Sequence, residues 1–190
     1  RSPTPDLRSP TPDYTMLQTL VTSKTRIKLL VKFFLNATTQ SWLRDLEAEF
    51  GESTNGIRME LNRFEDAGML VSRTEGNKKV FRANTNHPLF NDIHNILLKY
   101  TGIDQVIENI LQRLGGLQQA WLIGDFARGR DSKIIDLLLI GENINVENLV
   151  GYIAKVEELI DRKIRYLILK EEEIFDLDAR WPERLLLHKR

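Results

Sequence analysis

Two stretches of this sequence carry side chains whose types and spacing could do chemistry. In the first, Thr54, Asn55, Arg58, Asn62 and Arg63 recur at helical spacing, and Arg73, Lys78 and Lys79 follow close behind. An arginine can bond guanine through two hydrogen bonds and an asparagine can do the same with adenine, while hydroxyls and lysines engage phosphates. In the second, Gly124-Asp125-Phe126-Ala127-Arg128-Gly129 precedes an apolar run holding Asp136. Glycines in such a loop let backbone amides approach an anion, and Gly124, Arg128 and Gly129 are the candidate nucleotide- or anion-binding residues. Each set also has a plainer reading. Glu60 and Glu65 stand among the arginines as on any solvated helix face, and Arg128 could pair internally with Asp136 or Asp125. Other chemistry is poorly provided for. The chain has no cysteine, so no disulfide, thiolate nucleophile or Cys-based zinc site, and only three histidines. His87 and His94 lie two helical turns apart without a third ligand and are read as surface or capping residues. No metal and no cofactor is expected.

These residues need elements to hold them. Ile27, Leu30, Val31, Phe34 and Leu35 make a first helix from Lys24, and Asn36 to Thr39 break it. Ser41 reads as the N-cap of a second helix, Trp42 to Phe50, closed by Gly51. A third follows Glu52-Ser53-Thr54, buries Ile57, Leu61 and Phe64 on one side, and ends at Ala67-Gly68. The period then changes to two, giving strands 69–74 and 79–83 around a turn at 75–78. Pro88 suits the first turn of a further helix, and the stripe Ile103 to Leu114 makes another before Gly115-Gly116. Ile93, Ile96, Leu97 and Tyr100 would pack on the C-terminal part or form a dimer seam. Beyond them, strands 120–123, 134–140 and 164–169 interleave with helix 146–160, and a short acidic helix begins at Glu171.

The opening residues repeat Arg-Ser-Pro-Thr-Pro-Asp at 1–6 and 8–13, a composition expected to stay unfolded, with Met16 as a natural start of the folded part. Its Ser-Pro and Thr-Pro pairs could be modification sites. The net charge is zero overall, but eleven Lys or Arg against eight Asp or Glu give 16–85 a charge of +3, and the remainder from Asn86 carries −3. So small a bias implies that a second copy is needed to gather enough phosphate contacts. No apolar run approaches the roughly 20 residues of a membrane span, and a soluble, cytoplasmic protein is expected.

Thr22 to Leu30 and Leu43 to Phe50 resemble the opening of ArsR-type winged-helix transcriptional regulators, and Asn62 to Leu70 resembles their helix-to-wing junction. That resemblance implies a dimeric, bacterial or archaeal regulator that binds double-stranded DNA. The metal-sensing chemistry of some members does not carry over, because its cysteines are absent. Gly124 to Gly129, with the runs on either side, resembles the minimal nucleotidyltransferase domains of the DNA polymerase beta-like superfamily. In that family a Gly-Ser pair opens the loop, and a strand carrying two carboxylates, one residue apart, holds two Mg²⁺ ions. Here Asp125 replaces the serine, Ile134 replaces the first carboxylate, Asp136 alone remains, and Lys163 to Ile168 offer no third. Asp131 could stand in as a ligand or serve a turn or cap.

The expected fold class is therefore α+β: a tail (1–15), an N-terminal winged helix-turn-helix (16–85), linking helices (86–116) and a C-terminal small α/β nucleotidyltransferase-like domain (117–190). The expected function is DNA-binding transcriptional regulation by a homodimer, with no enzymatic activity. The degenerate domain would serve dimerisation or the sensing of a nucleotide or small anionic effector. An active nucleotidyltransferase and a protein-interaction adaptor are the alternatives.

Overall fold

A computed structural model describes residues 15–160 and 162–190; the repeat at 1–13 lies outside them. Capping side chains explain two of the helix starts. After a short α1 (Thr15–Leu20), Ser23 caps α2 (Lys24–Leu30) by accepting from the Arg26 amide, and Ser53 caps α4 (Thr54–Asp66) by accepting from the Gly56 amide. α2 continues as a π-helical turn, Val31–Leu35, in which all five residues are buried, Lys32 included. The second helix of the triad, α3 (Leu43–Phe50), ends at Gly51 as expected. Its start is different. Ser41 is not an N-cap but the middle of a strand, β1 (Gln40–Trp42), paired with β3 (Lys78–Ala83), and Trp42 precedes the helix with no side-chain cap. Residues 40–42 extend because β3 offers a free edge, so β1 adds to the β2 (Leu70–Glu75)–β3 hairpin in an antiparallel sheet of order β1-β3-β2.

Pro88 also stands outside the helix it was expected to open. A turn at residues 85–89 comes first, in which His87 Nδ1 accepts from the Leu89 amide, and α5 runs from Phe90 to Thr101. α6 (Ile103–Val106) and a second π-helical turn, Ile107–Leu111, lead into a mixed sheet of order β6-β5-β4-β7. Its strands are β4 (Leu117–Ile123), β5 (Ile134–Gly141), β6 (Lys163–Leu169) and β7 (Leu185–Lys189). β5 and β6 are parallel, joined by the crossover helix α8 (Val146–Ile160), whereas β4 is antiparallel to both β5 and β7. The glycine-bounded loop expected after β4 opens with a helical turn, α7 (Gly124–Ala127). The acidic helix is a single 3₁₀ turn, Glu171–Glu173, and a short α9 (Leu177–Arg180) precedes β7. The whole is a mixed α+β fold, and among the described residues no helix is long and apolar enough to cross a membrane.

One buried apolar cluster runs through both sheets' supporting layers, from Ile27, Phe33 and Phe34 through Leu97 and Ile110 to Ala120, Leu137 and Val156. Polar ties reinforce it. Asn36 Nδ2 donates to the Ala127 carbonyl at 2.7 Å, Lys32 Nζ donates to the Arg128 carbonyl at 2.9 Å, and His94 Nδ1 lies 2.8 Å from the Phe34 carbonyl. His94 is thus a packing residue rather than a surface one, and Leu97 belongs to the core and not to an outer seam.

Candidate functional site

α4 and the β2–β3 turn hold the first set of residues. Ile57, Leu61 and Phe64 anchor the helix, which leaves Asn55, Arg58, Asn62 and Arg63 exposed and Thr54 half-buried in the first turn. Glu60 does not share that outer face. It is buried, and it accepts from Arg26 Nε at 2.9 Å, Arg63 Nη1 at 3.0 Å and the Ser23 hydroxyl at 3.3 Å, fixing α4 to α2. Burial by itself would raise the Glu60 pKa, but the hydrogen bonds and charges of Arg26 and Arg63 outweigh it and hold the carboxyl below its ordinary value.

Most of the expected basic residues already have partners. Arg63 is paired with Glu60, Arg73 with Glu75 at 2.5 Å, and Lys79 with Glu65 at 2.6 Å. Hydrogen bonds from Lys79 and Ser72 keep the Glu65 pKa low, so that bridge persists at neutral pH. Lys78 Nζ sits 3.9 Å from the centre of the Trp42 ring. Among the described residues, Arg58 forms no ion pair, and neither does Arg44 on α3. These two, with Asn62, Asn77, Lys78 and Lys79, line a cleft of about 320 Å³ between α4 and the hairpin, and no carboxylate lines it. Arg44 and Asn77 were not among the expected residues. Arg44 reaches the cleft through the packing of α3 on α4 and Asn77 through the way the hairpin folds back, neither of which residue spacing encodes.

The second set stays within one turn, where the Arg128 amide donates to the Gly124 carbonyl at 3.3 Å, and its residues are committed to neighbouring groups. Gly124 has φ +71°, and a Cβ there would lie 2.5 Å from Asp136 Oδ2, so the glycine makes room for the carboxylate. Arg128 pairs with Glu183 at 3.0 Å, not with Asp136 or Asp125. Gly129, φ +70°, backs onto the π-helical turn, where a Cβ would stand 2.6 Å from Lys32 Cα. Asp131 is tied to Arg162 at 2.8 Å and receives a hydrogen bond from Tyr100. The partner of Asp136 is Arg165, opposite it in the parallel β5–β6 register: Nε to Oδ1 is 2.7 Å and Nη2 to Oδ2 is 3.0 Å. This two-point pair raises the Arg165 pKa further above its already high value. Among the described residues, no group of three or more His, Asp or Glu is placed to hold a metal ion.

No family model matches the chain and no curated protein matches it in sequence. Solved structures give partial likenesses. AF1382 from Archaeoglobus fulgidus is 15% identical with a TM-score of 0.35, over 49% of this chain and 98% of that one. A candidate nucleotidyltransferase from Sulfolobus solfataricus is 21% identical with a TM-score of 0.32, over 47% of this chain and 78% of that one. A mutant of the toxin-antitoxin MntA-HpeT is 13% identical with a TM-score of 0.33, over 46% of this chain and 70% of that one.

Proposed function

We propose that this chain is a DNA-binding regulator of the winged helix-turn-helix kind, in which α4 reads the major groove and the β2–β3 hairpin touches the flanking backbone. The observation that supports it best is the cleft-side surface of α4. Arg58, uncommitted to any carboxylate, stands there with Asn62 beside the Lys78 and Lys79 of the hairpin tip, and Asn55 is exposed in the first turn of the same helix. Arginine and asparagine at that position suit guanine and adenine edges, and the lysines suit phosphates. Binding as a homodimer would double a modest set of phosphate contacts. An apolar edge of α5 is available for the purpose: Leu89, just before the helix, is 54% exposed and Ile96 is 51% exposed, with Ile93 and Tyr100 half-buried beside them.

In this reading the mixed sheet is a nucleotidyltransferase-like shell without catalysis. Asp136 is held by Arg165, whose guanidinium engages both carboxylate oxygens. The shell would contribute to dimerisation or to sensing a small anion.

The test is a selection of genomic fragments at moderate salt, followed by titration of the enriched duplex. A specific duplex should emerge, and Arg58→Ala should weaken it by about tenfold, in keeping with the roughly 1–3 kcal/mol of one arginine–base contact. Absence of any enriched fragment would overturn the reading. Incubation with Mg²⁺, labelled nucleoside triphosphates and candidate acceptors should give no transfer; transfer abolished by Asp136→Ala would establish the enzyme instead.

A further inference from the structure

The cleft between α4 and the hairpin has a feature that binding a duplex would leave unused. Its floor is apolar and partly aromatic, formed by Trp42, Leu61 and Phe81, while its rim is cationic and amide-bearing. A duplex offers a protein phosphates and the edges of stacked bases, and it keeps the faces of those bases to itself. A half-buried indole beside unpaired arginines suits a base whose face is free, as in recognition of single strands and free nucleotides. Trp42 shows that its ring can be reached by a guest, since the flexible Lys78 side chain already lies over it. At about 320 Å³ the cleft is on the scale of one mononucleotide and not of a double helix.

From this geometry we infer that the cleft binds one nucleotide with its base unstacked. The base lies on the Trp42 face in place of Lys78, Asn62 meets the base edge, and Arg44 and Arg58 hold the phosphate. Lys78, once displaced, is long enough to join them. The inference rests on the reading of this face as a nucleic-acid surface, but it draws on the floor of the cleft where duplex binding draws on the rim. The same chemistry is supplied by a free nucleotide or by an unpaired residue of a strand. Either would compete with a duplex for Arg58, so an occupied cleft is a duplex-excluding state.

The full chain is titrated calorimetrically with AMP, adenosine and ribose 5-phosphate, and then with a single-stranded and a blunt duplex oligonucleotide. AMP should bind saturably and at least tenfold more tightly than either fragment, because base and phosphate are both engaged. Trp42→Leu and Arg58→Gln should each weaken AMP at least fivefold. Competition between the single strand and AMP identifies the strand as a source of the nucleotide, and its absence identifies free nucleotide; both outcomes uphold the site. AMP binding no tighter than ribose 5-phosphate, or unchanged in a folded Trp42→Leu chain, overturns it. Where Trp42→Leu fails to fold, the indole resonance of Trp42 in the unaltered chain decides: an AMP-induced shift supports the site and a fixed resonance refutes it. Duplex binding without AMP binding defeats this inference and spares the regulator, whereas AMP binding without duplex binding does the reverse.

Discussion

Glu65 and Glu60 lie five residues apart on α4 and act in opposite ways. Glu65 holds Lys79 at 2.6 Å, a lysine that a DNA backbone would otherwise attract. Glu65→Gln should release it, so that duplex affinity rises by about two- to fivefold and the salt dependence steepens by about one counterion. Titrations of the variant at several salt concentrations check this. Glu60 holds Arg63 as well, but its main tie is structural: it fastens α4 to Arg26, and Glu60→Gln should cost about 2 kcal/mol at neutral pH, measurable by urea unfolding. The sign of its pH dependence follows from its lowered pKa. The stabilisation is complete above the unfolded-state value and disappears as pH falls through the folded-state value, so stability should drop below about pH 4.5 in the parent and more gently in Glu60→Gln. Charge type and spacing made both glutamates visible in the sequence as neighbours of the arginines. Which of them turned inward was not visible, because the depth of a glutamate depends on Arg26 arriving from α2, 34 residues away.

At the scale of elements, boundaries set by local chemistry were readable and those set by distant strands were not. Ser53 and Gly51 mark the ends of α4 and α3 through their own side chain and backbone, whereas Ser41 looks like a cap and is a strand residue because β3 lies beside it. β7 was not legible as a strand in the sequence, since its pairing partner, β4, is remote in the chain. Glycines show the same division. The sequence reads Gly115 as a helix stop and Gly129 as an anion-loop residue; in the structure Gly115 has nothing near its Cβ position, while Gly129 meets the backbone of Lys32 at positive φ. Gly115→Ala should leave stability within about 0.5 kcal/mol of the parent. Gly129→Ala should cost about 3 kcal/mol or more, combining left-handed strain with a backbone clash. Thermal melts of the pair separate the two roles. They also test whether this glycine serves packing, as its surroundings indicate, rather than an anion.

For the whole molecule, the continuous core and the Asn36–Ala127 hydrogen bond tie the α4-bearing half to the mixed sheet. Intrinsic tryptophan fluorescence and far-ultraviolet dichroism should therefore report one coincident unfolding transition. Asn36→Ala should lower it by about 2 kcal/mol for both probes, because the substitution strips a buried carbonyl of its donor. Two separate transitions would show that the halves unfold independently. The strand order β6-β5-β4-β7 carries one more implication, for the order of events in folding. β4 and β5 are neighbours in sequence and can meet early, but β4 must wait for β7, with residues 124–184 in between, before its outer edge is satisfied. Closing so long a loop is slow in comparison with local pairing. Until it closes, the chain carries an open strand edge beside Trp121, a template for pairing with other chains. Refolding yield should accordingly fall as protein concentration rises, even though the finished fold keeps that edge covered.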